Sequence, residues 1–315
     1  MSHPEQTEEQ VRAPKAAASS GRTAAWASLL GLLAGVLGLA PWLISGAKLP
    51  LQNMWESEAR PEHMPLALLP LSQYELTTIV ALVTVGGAAA GLAVRLWSPE
   101  HRRLATWCAV GGVLVVQIVA AVQSFTVLNQ GLASGQMASI YFFGLLAGVI
   151  LSLAASVEAV LLFASTSRVA TTLGVGLMAI PFTSWVVEWV VGLVGYINVP
   201  PVVSTMAHWL PAILVGLALA WCGLRPRWRA VVWLVNLALL WFVPALFISV
   251  NYVLGSRVLA GDLEEMLLMS RQILTATLGP QGGAAPLVLL ALVFGVVGVG
   301  VREVASRQRR QSALR

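Results

Sequence analysis

The sequence predicts an all-α polytopic transmembrane helix bundle of about eight spans, with an outer-surface amphipathic helix between spans seven and eight. Three observations predict it. The 315 residues are 57% hydrophobic and only 10% charged, whereas a soluble domain carries roughly 25% charged residues to wet its surface. The apolar residues fall in eight long runs. The sign of the charge alternates from one connection to the next. The composition excludes a soluble enzyme, a disordered chain and a disulfide scaffold.

A bilayer core of about 30 Å takes about 20 apolar residues as helix. Runs meeting that length, or nearly so, are 24–45, 75–97, 104–128, 138–164, 169–197, 207–223, 229–254 and 286–302. The fifth carries Pro181, where a kink is expected rather than a break. Residues 1–22, polar and rich in Ala, Ser, Glu and Gln, read as a disordered cytoplasmic tail. Residues 23–303 form the eight-span domain, and 304–315 a basic cytoplasmic tail.

Basic residues orient the chain. With the N-terminus cytoplasmic, the outer segments hold Lys48, Arg60, Arg257 and Arg271, and the other fifteen of the 19 Lys and Arg lie inside. The positive-inside rule therefore places both termini in the cytoplasm of a plasma membrane. Tryptophan follows the same layout. Trp26, Trp97, Trp107, Trp221, Trp228 and Trp233 fall at inner span ends, and Trp42 and Trp209 at outer ends. The Ala, Gly, Val, Leu and Arg bias suggests a bacterium with GC-rich DNA.

Two outer connections have room for structure. The first, about 46–74, contains Pro50, Pro61, Pro65 and Pro70, a density that opposes a regular helix. Its apolar stretch Met64–Leu71 is expected to wedge between helices or in the interface. In the second, Asp262 is a candidate N-cap. Leu263, Met266, Leu267, Leu274 and Leu278 recur beyond it at helical spacing. The 262–278 segment thus reads as an amphipathic helix at the outer surface, either a plain cover or a docking place for a protein partner.

Small residues four apart, Gly31/Gly35, Gly87/Gly91 and Gly144/Gly148, indicate close helix packing. Cys108 and Cys222 both lie near the cytoplasmic end, so a disulfide is not expected. The basic residues are dispersed over short loops, which topology explains without a nucleic-acid partner; the bilayer is the expected partner.

Signatures of chemistry are missing. No phosphate-binding glycine loop occurs, and His3, His63, His101 and His208 are scattered, with no His-Glu-x-x-His helix. Ser134 lies in a loop without an intramembrane histidine to act as base. No catalytic, cofactor-binding or metal-ligating residue is assigned, and no cofactor is expected.

Ionisable residues within a span are costly and are functional candidates by default. Glu158 and Glu188 are the two, with Arg95 and His208 near span ends. Glu188 shares one face of span five with Gly174, Leu177, Pro181, Ser184, Gly192 and Gly195, a composition that faces protein rather than lipid. It is placed to line an outward-open cavity with His208 at its mouth, or else to sit protonated between helices. Glu158 shares a face with Gly144, Ala147, Leu151, Ala154 and Ala155, which reads as a packing seam with Arg95 as the nearest counter-charge. The two glutamates lie on antiparallel spans, about 18 Å apart in depth at 1.5 Å per residue, so they cannot share a proton. Gln117, Gln123, Asn129, Gln130, Asn236, Asn251 and Tyr252, with Glu75, are candidates for a wet outer vestibule.

The absence of catalytic groups beside several small-residue seams favours a non-enzymatic membrane or envelope complex component. The alternative is a small-solute or proton-coupled secondary transporter using Glu188. A lipid-acting membrane enzyme comes last, since no polar cluster at a single depth supports it.

Overall fold

The computed structural model describes residues 5–52, 54–56, 60, 63–97, 99–255, 263–279 and 282–312. Among these the chain is all-helical, without strands. The helices are α1 (Glu5–Ile44), α2 (Leu76–Trp97), α3 (Arg102–Gly131), α4 (Gln136–Ala164), α5 (Arg168–Val194), α6 (Pro201–Cys222), α7 (Arg229–Gly255), α8 (Leu263–Leu278) and α9 (Ala284–Ser312). All but α8 contain a segment long and apolar enough to cross a membrane. The protein is a multi-pass membrane-spanning helical bundle.

Helix α1 starts at Glu5, inside the stretch read as a polar tail. Its Ala, Glu, Gln and Arg residues favour helix once a long apolar helix follows to extend from. Helices α5, α6 and α7 run through Pro181, Pro211 and Pro244 without ending. Of the expected caps, Asp262 falls outside the described residues.

Helices α1 to α4 form one packing group, and α5, α6, α7 and α9 another, with α5 joined to both. Glycine sets the first group's spacing. A Cβ on Gly31 would lie 2.2 Å from the Ala109 carbonyl oxygen, and one on Gly87 2.3 Å from that of Ser156. Gly91 meets Val160 in the same way. Backbones approach at these points because no side chain separates them. The third pair differs. Gly144 faces open space, and Gly148 meets only the Leu76 side chain.

The bundle has two ends. The long-loop end carries the 45–75 connection and α8; the arginine end gathers Arg22, Arg102, Arg168, Arg225, Arg229 and Arg302. The described parts of the 45–75 connection are wedged into the first group. Leu49, Met64, Ala67, Leu69 and Leu71 are buried against Leu39, Leu82, Phe125, Leu128 and Leu145. Its backbone polar groups find partners, as burial requires. Gln123 accepts from the Leu68 amide and donates to the Leu66 carbonyl, both at 2.9 Å. Ser124 accepts from Leu69 N at 2.8 Å, and Trp42 donates to Ala67 O at 2.8 Å.

Helix α8, expected between spans seven and eight, folds back along α7. Ser270 lies 3.0 Å from Ser249, and Trp241 donates to the Leu278 carbonyl at 3.2 Å. Eight residues along each helix separate the two contacts, so the pair is antiparallel and α8 ends beside the midpoint of α7. Its half-buried stripe includes Met266, Ser270, Ile273, Leu274 and Leu278, whereas Leu267, expected on that stripe, is 71% exposed. Met266, Leu274 and Leu278 thus keep the expected stripe, and Leu267 departs from it. Trp26, Trp97, Trp107, Trp221 and Trp228 are exposed at the arginine end. Trp233 departs from that belt: it is buried, with its ring against Gly295. Cys108 and Cys222 are free thiols.

Candidate functional site

Helix α5 is fixed in rotation by three contacts. Trp185 donates to the Gly38 carbonyl of α1 at 2.9 Å, Gly174 receives the Phe163 ring, and Gly176 lies under the Asn236 side chain of α7. This turns Ile180, Thr183, Ser184, Val187 and Glu188, spaced as one helical face, toward a cleft of about 410 Å³. The start of α2 contributes Tyr74, Glu75, Thr77 and Thr78; α6 contributes Ala207 and Pro211; α7 contributes Asn251. The cleft therefore lies between the two packing groups, at the long-loop end.

Glu75 and Glu188 lie within electrostatic range of each other across this cleft. Both are half-buried. Removal from water pushes Glu75 above the ordinary carboxyl range, and a hydrogen bond with Thr78 offsets part of that rise. Thr77 donates to the Asn251 side-chain oxygen at 2.9 Å, joining α2 to α7 at the rim. The remaining wall mixes hydroxyls from Thr78, Thr183 and Ser184 with the aliphatic groups of Ile180, Val187, Ala207 and Pro211. Such a site can hold a small cation between two carboxylates, with hydroxyls to complete its coordination, or exchange it for a proton.

The structure separates the other candidates. His208 is exposed, packed edge-on to Trp209 with ring centroids 4.7 Å apart, and does not line the cleft. Glu158 and Arg95 do not meet. The Gly87 and Gly91 seams select the Ser156 and Val160 face of α4, and Glu158, two residues beyond Ser156, is carried about 200° round at 100° per residue. It is exposed, together with Gly144, Ala147, Leu151 and Ala154, so the expected packing seam is an open face. Arg95 donates to the Ser165 carbonyl and the Thr171 hydroxyl, and its guanidinium lies 5.2 Å from the Trp221 ring centroid.

Of the vestibule candidates, Glu75 and Asn251 reach the cleft. Gln117 is buried, bonded to Val83 O and Ser156 Oγ, and Gln123 holds the wedged loop. Asn236 is buried against Gly176. Sequence periodicity identifies Ser184 only as a stripe member and does not single out Thr78 or Thr183. Thr78, three residues after Glu75, carries a helical-spacing signal; Thr183, five before Glu188 and so about 140° round the helix, carries none.

Among the described residues no group of three or more His, Cys, Asp or Glu is placed to hold a metal ion. No family model matches the chain, and neither a curated protein nor a solved structure matches it.

Proposed function

We propose that this membrane protein is a proton-coupled secondary transporter of a small cationic solute, with Glu188 and Glu75 as its binding carboxyls. The observation that carries the reading is the pairing of these two acids across an open, hydroxyl-lined cleft between two helix groups. Two negative charges beside low-dielectric walls are stabilised by one positive charge, supplied by a proton or by a bound cation. Exchange of one for the other couples solute movement to protons. Sites between helix groups suit this task, because rocking of one group on the other changes which side is open. The bias of basic residues, four outside against fifteen inside, supports cytoplasmic termini and a cleft that opens outward, and the Ala, Gly, Val, Leu and Arg bias supports a bacterial plasma membrane.

The test is flux in proteoliposomes loaded with a pH-sensitive dye. Small primary amines and alkali cations added outside should drive proton movement in the wild type. Glu188→Gln should reduce it at least tenfold. Equal dye signals in the two proteins would sink the reading.

A second reading, a non-enzymatic component of a membrane complex, is favoured by the open Gly144–Glu158 face of α4. A carboxyl facing hydrocarbon is costly, and a partner helix with a hydrogen-bond donor would relieve that cost. The exposed Leu267 and Leu268 of α8 offer a protein partner a second place to dock. Co-purification in mild detergent would show a partner retained by the wild type and released by Glu158→Leu.

A further inference from the structure

We propose that a pocket at the arginine end binds a phosphate group, carried by an anionic lipid headgroup or by free phosphate. The pocket, about 500 Å³, lies at the opposite end of the bundle from the carboxyl cleft and does not depend on its function. Four arginines from four places in the chain line it: Arg168 at the start of α5, Arg225 after α6, Arg229 opening α7, and Arg302 on α9. The lining holds a single acid, Glu303.

Two of the guanidinium groups are held in place by the end of α6. Arg229 Nη1 donates to Cys222 O at 2.6 Å, and Arg302 Nη1 donates to Ala220 O and Trp221 O at 2.7 and 2.8 Å. These carbonyls lie in the last turn, where a helix has no acceptor-satisfying amide of its own. Capping accounts for one nitrogen of each group and leaves the rest of its fork of five donors. Arg229 Nε in particular is buried without a hydrogen-bond partner. The remaining donors of these two groups, held in place beside the open pocket, are what phosphate oxygens would complete.

The other two arginines have no capping role. Arg168 stacks toward the Trp221 ring at 5.6 Å, and Arg225 lies 3.7 Å from Glu303, which Arg307 also approaches at 3.4 Å. This half-buried carboxylate offsets part of the local charge and leaves four lining arginines against one acid. Depth points to the headgroup region. Trp221 and Trp228, beside the pocket, are exposed in the same belt as Trp26, Trp97 and Trp107. Basic pockets between spans at that level suit lipid phosphates.

The experiment is thermal melting of the full chain in detergent at constant ionic strength. Its additions are dioctanoyl phosphatidylglycerol, dioctanoyl phosphatidylcholine or inorganic phosphate. A saturable rise with phosphatidylglycerol, absent with phosphatidylcholine and with phosphate, identifies a lipid headgroup. A rise with inorganic phosphate alone identifies free phosphate. Neither exceeding phosphatidylcholine overturns the proposal. Arg168→Gln with Arg225→Gln should weaken the effect by about fivefold per arginine removed, each variant being compared with its own ligand-free melting point. Arg103→Gln, exposed at the same end but outside the pocket, should leave it unchanged; an equal loss there means diffuse surface charge and overturns the site. Ser306→Glu, an exposed lining position, adds a negative charge without removing a cap and should weaken binding if the double variant fails to fold.

Discussion

The Thr77 hydroxyl donates to the Asn251 side chain at 2.9 Å, across 174 positions of sequence. Both residues line the cleft that holds Glu75 and Glu188, so one hydrogen bond ties the two helix groups together at its mouth. A neutral bond that water can reach contributes about 0.5–1.5 kcal/mol. Thr77→Val should therefore lower stability by about 1 kcal/mol or less while changing the solute KM in the flux assay. A large loss of melting temperature with unaltered KM would mean that the bond holds the fold rather than the cleft.

Glu75 carries a pH signature. Its carboxyl is held above the ordinary range, so the folded chain binds its proton more tightly than the unfolded chain does. Stability then falls as pH rises past the unfolded value of about 4.3 and levels off above the folded one. Glu75→Gln removes this term. Its melting temperature should gain on that of the wild type as pH rises through that window; parallel pH profiles would contradict the burial of Glu75.

The glycine seams give a paired test. Gly87→Val would drive a side chain into the Ser156 backbone, where a Cβ alone already falls 2.3 Å from the carbonyl oxygen. Overpacking of this kind costs about 1–3 kcal/mol. Gly144→Ala meets nothing within 4 Å and, in a helix interior, should leave the melting temperature unchanged or slightly raised. Equal effects would show that the two glycines share one role.

Gln123 should matter more than its position in a span suggests. Truncation to Ala removes the acceptor of Leu68 N and the donor to Leu66 O together. The Leu68 amide left unpaired in the wedge costs about 1–3 kcal/mol, whereas water can replace the donor to the exposed Leu66 carbonyl. Limited proteolysis should cut the 45–75 connection faster in Gln123→Ala than in the wild type, with α8 cleaved at an unchanged rate.

The spans are legible because hydrocarbon imposes one requirement, a long apolar helix, that composition reveals directly. The protein-facing stripe of α5 is legible too. Gly174, Pro181 and Glu188 fall on one stripe at 100° per residue, and Gly174 packs on Phe163. The surroundings of Glu158 are not, because periodicity identifies a face without saying which neighbour it meets. Gly144, Ala147 and Ala154 are as compatible with lipid as with a helix, and the choice is made elsewhere, by Gly87 and Gly91 on α2. The cleft's composition is hidden for a similar reason. Glu75, Ala207 and Asn251 come from three separate helix ends, and only the packing of α2, α6 and α7 on α5 brings them to Glu188.

The most direct test asks whether position 188 is wet and beside a carboxylate. Glu188→Cys, in a chain with Cys108 and Cys222 replaced by Ala, is exposed in proteoliposomes to cationic and anionic methanethiosulfonates of similar size. Labelling at a rate comparable to Thr77→Cys at the rim is expected. The cationic reagent should be favoured several-fold, and adding Glu75→Gln should abolish the preference. A Glu188→Cys variant that stays unlabelled while the Thr77→Cys variant reacts, or that reacts equally with both reagents, would contradict a two-carboxyl cation cleft.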